Sequence, residues 1–231
     1  METPDLSSSI LIRTVEDWQP PEGQPGEGLL LRTEYGDVEA ILHKREGAES
    51  RTGIGWVWGA SGGFDGPAGG IYGVLAEELK HHITSLRVNY RYPGILEGSV
   101  YDTLTGVSYL KSVGCDTILL VGHSFGGAVV ISAAPFAPRV AAVVALSSQT
   151  RGAANAERVS PRPLLLVHGA DDTRLPPMCS EAIYEWAREP KELIIYQGTG
   201  HGLGECRDEL HDLLGRWIQE KLEAATDTET L

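Results

Sequence analysis

The chain is poor in cysteine and has no long apolar run. Its 231 residues include only three cysteines, Cys115, Cys179 and Cys206, an odd number without metal-ligand spacing. A disulfide framework is therefore not expected, and a reducing compartment is the simpler interpretation. No stretch approaches the ~20 apolar residues that a membrane-spanning helix requires. The residues after Met1 carry neither the basic region nor the apolar core of a signal peptide, so we expect a cytoplasmic protein.

Basic residues are also scarce, with 19 Lys and Arg against 32 Asp and Glu and a net charge of −13. Nucleic acids and anionic membrane surfaces bind clustered Lys and Arg, so we expect neither as a partner. A chain of this length fits one α/β domain, or at most two small ones. It is long enough to bury most of its apolar surface without disulfides or metals.

The apolar pattern predicts an α/β fold. Segments 29–33 and 38–43 flank Tyr35-Gly36-Asp37, which predicts an N-terminal antiparallel hairpin. From residue 53 onward, apolar strand-like segments alternate with amphipathic helical ones. Such repeated units predict a mostly parallel central sheet with helices on both faces.

Domain boundaries follow from the same pattern. Residues 1–28 are predicted to be an N-terminal extension and connector, because 19–27 is rich in Pro and Gly. Residues 29–223 then form a single domain, and 224–231 a frayed tail.

The segment Gly122-His123-Ser124-Phe125-Gly126 is the strongest functional signal. It lies between the apolar runs 117–121 and 128–134, the strand-turn-helix context that a G-x-S-x-G nucleophile elbow requires. A second match surrounds Ser61, but turn-forming residues follow it and prevent direct entry into a helix. Ser124 is therefore the predicted nucleophile, and an ordinary turn serine is the alternative.

A serine nucleophile needs a general base that a third group orients. In an open parallel sheet, functional groups gather at the carboxyl ends of the strands. Asp171 and Asp172 follow a predicted strand at 164–167, and His201 follows another at 193–196. The order Ser, Asp, His along the chain is the one found in α/β-hydrolases.

On these residues the chain resembles the α/β-hydrolase superfamily, and more loosely its small, dienelactone-hydrolase-like serine hydrolases, over roughly residues 29–222. The resemblance implies the α/β-hydrolase fold, with His201 as general base. The acid falls on Asp172, the fifth residue of His168-Gly169-Ala170-Asp171-Asp172, and Asp171 is the alternative. His168 is expected to support the acid loop through hydrogen bonds.

The resemblance also implies an oxyanion hole made by two backbone N–H groups. Phe125, directly after the nucleophile, supplies one. Ala60 is the candidate for the other, with Ser61 as the alternative, and Trp58 stands where the family usually has His. Phe64 and Asp65 are candidates for the border of the pocket, and a solvated loop aspartate is the alternative for Asp65. The other histidines, which include His43, His81, His82 and His211, are interpreted as solvated or edge residues.

Only residues 147–163 separate the strand at 140–146 from the acid strand, so no large cap domain is predicted. We predict a serine hydrolase that cleaves carboxylic esters of small or extended substrates through an acyl-enzyme, with a small-molecule ester as its partner. No metal or organic cofactor is implied. A thioesterase or peptidase with the same triad, a triad used for C–C cleavage or peroxidation, and a non-catalytic ligand-binding protein of this fold are the alternatives.

Overall fold

The computed structural model describes residues 4–47 and 51–229. Within these residues the chain forms nine strands and five α-helices. The strands are β1 Ile12–Asp17, β2 Glu27–Thr33, β3 Gly36–His43, β4 Thr52–Val57, β5 Thr84–Val88, β6 Thr117–His123, β7 Val140–Leu146, β8 Leu164–Gly169 and β9 Lys191–Tyr196. The helices are α1 Pro67–Leu79, α2 Leu96–Ser112, α3 Phe125–Ala133, α4 Met178–Trp186 and α5 Arg207–Glu229.

All of these strands join one sheet in the order β1-β2-β3-β5-β4-β6-β7-β8-β9. The pairs from β1 through β3 to β5 are antiparallel, and every pair from β5 to β9 is parallel. The predicted N-terminal hairpin and mostly parallel sheet are therefore confirmed. Every residue of β6 is buried, as expected for a parallel strand that helices cover on both faces.

The helices cover the two faces of the sheet with separate apolar cores. One core packs α2, α3 and α4 against the sheet through residues such as Leu110, Val129 and Ile183. The other packs α1 and α5 through residues such as Leu75 and Leu214. The helices pack on the two faces of the sheet. Ligands of such sheets bind at the remaining position, outside the carboxyl ends of the parallel strands.

The two ends of the domain differ from the sequence boundaries. Ile12–Asp17, which we expected to lie in an extension before the domain, pairs with β2 as an edge strand. Its side chains are almost all exposed, so it has little of the apolar pattern that would reveal a strand. The tail predicted to fray from residue 224 continues α5 to Glu229, because 223–229 contains neither Gly nor Pro. Residues 1–3 and 230–231 of these predicted segments lie outside the described residues.

The connection from β7 to β8 is short and carries no cap domain. Residues 147–163 contain a single 3-10 turn, Ala156–Arg158. Among the described helices, none is both long enough and apolar enough to cross a bilayer.

A buried polar network joins β3, β5 and the N-terminal connector. The Arg87 side chain donates to Nε2 of His43 at 3.0 Å, to the Gln24 side-chain oxygen at 2.6 Å and to the Pro25 carbonyl at 2.6 Å. Because Nε2 of His43 accepts, its Nδ1 carries the proton and donates to Glu77 at 2.6 Å. The sequence suggested that His43 is a solvated or edge residue. In the structure His43 is buried, because partners distant in sequence enclose its ring.

Burial sets the charge state of this network. Desolvation, helped by the positive charge of Arg87, lowers the pKa of His43 from 6.5 to about 4. Desolvation also lowers the pKa of Arg87, to about 10, against the opposing charges of Asp65 and Glu77. At neutral pH the network thus holds a neutral imidazole beside a guanidinium cation.

Candidate active site

Ser124 occupies a strained turn between β6 and α3. Its φ of 59° and ψ of −117° lie in a region of backbone conformation that residues other than glycine rarely adopt. Gly122 and Gly126 make the turn possible. A Cβ on Gly122 would lie 2.1 Å from the Gly126 carbonyl oxygen, and a Cβ on Gly126 would lie 2.2 Å from the Trp58 carbonyl oxygen. The motif glycines are therefore required by the close approach of α3 to β6 and to the turn after β4.

The structure brings together the three side chains that the sequence singled out. Nε2 of His201 lies 3.1 Å from Oγ of Ser124, and its Nδ1 lies 2.7 Å from Oδ2 of Asp172. The Asp172 side chain is fully buried, whereas that of His201 is 15% exposed. Asp171, the alternative acid, is exposed to solvent. The chain of hydrogen bonds thus runs from a buried carboxylate through an imidazole to a hydroxyl.

Asp172 is held in its ionised form by several donors. Its Oδ1 accepts from the backbone N–H groups of Arg174 and Leu175, each at 2.9 Å. Burial by itself raises the pKa of Asp172, but the hydrogen bonds from Leu175, His201 and Arg174 outweigh burial and lower it below its ordinary value. A carboxylate that stays charged can orient the imidazole of His201 and stabilise its protonated form.

His168 supports the acid loop, as expected. Its Nε2 faces the Leu175 carbonyl at 2.8 Å and Oδ2 of Asp172 at 3.1 Å, so this nitrogen carries a proton. Its Nδ1 lies 2.7 Å from the hydroxyl of Ser180 on α4. The buried ring therefore ties Asp172 to the strand end and to the next helix.

His123 packs against His201. Its Nε2 donates to the backbone carbonyl of His201 at 2.9 Å, and the two ring centroids are 4.9 Å apart. Burial lowers the pKa of His123 to about 4, so the ring is neutral at physiological pH. Its Nδ1 is buried without a partner among the described residues. The sequence showed this histidine beside the nucleophile but could not show its bond to the base loop.

The turn after β4 lies beside Ser124. Ala60 and Ser61 line the same cavity as Ser124. The next two N–H groups of the turn are already bonded, Gly62 to the Gly59 carbonyl at 3.1 Å and Gly63 to the Asn89 side chain at 2.7 Å. Ala60 and Ser61 therefore stay the candidate donors of this turn.

The second candidate donor begins α3. As the first residue of the helix, Phe125 has an N–H without an intrahelical acceptor, at the positive end of the helix dipole. Tyr90 buttresses this region: its hydroxyl donates to the Trp58 carbonyl at 3.0 Å, and its ring meets that of Phe125 edge to face. Sequence reasoning missed Tyr90, although its position just after β5 places it at the carboxyl edge.

A cavity of about 900 Å³ opens over Ser124. Its wall includes Gly66, Pro67, Ala68, Gly69 and Gly70, and the carboxyl-edge loops supply Trp58, Asp65, Gln149, Arg174 and Leu175. Asp65 lines the cavity, which is one of the two alternatives that the sequence left open for it. Within the described residues, no three His, Cys, Asp or Glu side chains cluster as metal ligands would.

One wall of the cavity has an unusual backbone. Ala68, Gly69 and Gly70 all have positive φ, from 51° to 91°, before α1 continues as a regular helix. The Ala68 N–H donates to the Gly202 carbonyl at 2.7 Å, and the Arg207 guanidinium donates to the carbonyls of Ala68 and Gly69. The wall is therefore bonded directly to the loop that carries His201.

The N-terminal connector reaches the rim of this cavity. The Gln24 side chain donates to Asp65, while its oxygen accepts from the buried Arg87. The ring of Trp18 also packs on Phe64 at a centroid distance of 5.8 Å. Residues 18–25 thus hold the loop 64–65 from behind.

No protein-family model and no curated protein matches the chain. Its three-dimensional structure, in contrast, is similar to many solved ones. Est1E from Butyrivibrio proteoclasticus superposes with a TM-score of 0.71 at 17% identity, over 85% of this chain and 99% of Est1E. The esterase domain of a Rhodothermus marinus protein gives 0.65 at 17% identity, over 90% and 99% of the two chains. A Xanthomonas campestris α/β serine hydrolase without a lid gives 0.65 at 18%, over 88% and 98%.

These likenesses extend over nearly the whole of each solved chain, and the Xanthomonas campestris hydrolase, like the described part of this chain, has no lid. The protein therefore has the α/β-hydrolase fold, in a form whose described residues include no large cap domain.

Proposed function

We propose that this protein is a serine hydrolase that cleaves carboxylic esters of small molecules through an acyl-enzyme. The observation that carries the proposal is the continuous hydrogen-bonded chain from Asp172 through His201 to Ser124, at the mouth of a cavity. A hydroxyl at the turn before a helix, bonded to an imidazole that a buried carboxylate orients, is the arrangement of an activated serine.

In the proposed reaction, Oγ of Ser124 attacks the ester carbonyl while Nε2 of His201 takes the hydroxyl proton. Asp172 accepts the hydrogen bond from Nδ1 and stabilises the imidazolium. The N–H of Phe125, with that of Ala60 or Ser61, stabilises the oxyanion of the tetrahedral intermediate. His201 returns the proton to the leaving alcohol as the C–O bond breaks. A water molecule, activated by His201, then releases the acid and restores Ser124.

The open site and the relatives support an ester as substrate. The connection 147–163 forms no lid, so a substrate needs no interfacial opening to reach Ser124. The Rhodothermus marinus neighbour is described as an esterase domain, and Est1E has also been solved with bound ferulic acid, a carboxylic acid. The side chains present supply nucleophile, base and orienting acid, so the proposal invokes no cofactor.

Intact mass after incubation with a fluorophosphonate tests the proposal. We expect a single adduct on the wild type and on Ser61→Ala, the matched control at the second G-x-S-x-G sequence, and none on Ser124→Ala. Hydrolysis of p-nitrophenyl acetate should fall by orders of magnitude in Ser124→Ala, up to about 10⁶-fold in a comparable triad. An unlabelled wild type would support a non-catalytic binding protein, and an adduct lost only in Ser61→Ala would move the nucleophile to Ser61.

A further inference from the structure

Arg174 lies on the wall of the same cavity as Ser124, in the loop after β8. Its backbone N–H is fixed by Oδ1 of Asp172 at 2.9 Å, so its Cα is anchored two residues from the acid. Its side chain is exposed. Among the described residues, the structure gives its guanidinium no carboxylate within ion-pair distance and no hydrogen-bond acceptor.

The cavity wall carries one other formally charged side chain, Asp65. That carboxylate accepts a hydrogen bond from Gln24 and faces the charge of the buried Arg87. The Asp65 carboxylate therefore already has polar partners within the protein. Of these two charged side chains on the cavity wall, that of Arg174 is the one without a partner among the described residues.

This local charge is opposite to that of the whole molecule, whose net charge of −13 repels anions at long range. An unpaired guanidinium presents a planar fork of N–H donors that matches a carboxylate. In a cavity where Ser124 is proposed to attack a carbonyl carbon, this guanidinium is placed to bind an anionic group elsewhere on the same substrate.

We propose that the substrate is an ester that carries an anionic group, most simply a second carboxylate, and that Arg174 binds this group. The inference rests on the proposed serine-hydrolase function and adds the chemical class of the substrate. The anion lies on either the acyl or the alcohol side of the ester, and matched substrates distinguish the two.

The experiment compares kcat/KM of wild type, Arg174→Gln and Arg174→Lys on two pairs of esters. p-Nitrophenyl hemisuccinate and p-nitrophenyl butyrate differ by an acyl-side carboxylate. 4-Acetoxybenzoate and its methyl ester differ by an alcohol-side carboxylate. Arg188→Gln is the control, because it also removes one positive charge, from a surface pair with Glu157 outside the cavity.

For one of the pairs, the anionic-to-neutral ratio of kcat/KM should fall about two- to fivefold in Arg174→Gln, the effect of one exposed charge pair. The ratio for Arg174→Lys should lie between those of the wild type and Arg174→Gln, because lysine keeps the positive charge but lacks the planar fork of N–H donors. Arg188→Gln should keep the wild-type ratio. Because the charge is exposed, 0.5 M salt should reduce the preference of the wild type.

Equal ratios in wild type and Arg174→Gln for both pairs would overturn the inference. So would an equal loss on neutral and anionic esters, which would show a structural role for Arg174 in the acid loop. Failure of the proposed function is a separate result, because the neutral esters would then show no hydrolysis that depends on Ser124.

Discussion

Acid should destabilise this fold through His43, whose ring is enclosed by Arg87 and Glu77. Burial and the charge of Arg87 lower its folded-state pKa from 6.5 to about 4. Between these pH values the unfolded chain binds a proton that the folded chain does not. The free energy of unfolding therefore rises with pH in this window and falls as the pH drops through it. With these two pKa values, the free energy of unfolding should be about 2 kcal/mol lower at pH 5 than at pH 7.5.

His43→Gln isolates this contribution, because a glutamine keeps one donor and one acceptor but does not take up a proton. Urea unfolding at pH 7.5, 6 and 5, followed by tryptophan fluorescence, gives the free energy of unfolding. Between pH 7.5 and 5 the variant should lose about 2 kcal/mol less than the wild type. His82→Gln removes an exposed histidine and controls for the loss of one imidazole. Equal losses in wild type and His43→Gln would refute the reasoning, even if the variant is less stable at every pH.

Two further substitutions test the site. His123→Gln should lower kcat for ester hydrolysis roughly tenfold in steady-state kinetics and leave KM within about twofold, because the ring positions the His201 loop; an unchanged kcat would contradict this. Gly126→Ala should abolish fluorophosphonate labelling, since the new Cβ would meet the Trp58 carbonyl. Gly215→Ala on α5, where a Cβ has open space, should instead stabilise the protein by about 0.5–1 kcal/mol in thermal unfolding. Wild-type labelling of Gly126→Ala would contradict the close approach at the elbow.

The sequence was most informative where the evidence is local. The elbow at Ser124 depends on glycines within two residues of it, and strand ends can be read from short apolar runs. Asp172 and His201 were found because carboxyl ends of parallel strands meet at one edge. The structure brings these side chains within hydrogen-bond distance of one another, and their catalytic roles stay a proposal.

Features that depend on distant partners could not be read from the sequence. The partners of His43 lie 34 and 44 residues away, so nothing near it in sequence signals burial. The edge strand Ile12–Asp17 is too polar to stand out, and its place follows from pairing with β2. The left-handed conformation of Ala68 is likewise unexpected for a residue with a side chain, and contacts with Gly202 and Arg207 hold it.

The bond from Ala68 to Gly202 has a consequence for substrate size. Ala68 lines the cavity, and Gly202 directly follows His201 in the chain. For the proposed ester hydrolysis, we expect an acyl or alcohol group broad enough to displace this wall to shift His201 relative to Ser124 as well. Substrate width and turnover are then coupled, because a shift of His201 would disturb the proposed proton transfer from Ser124. Bulky esters are then expected to lower kcat more than affinity, although residues 147–163 form no lid.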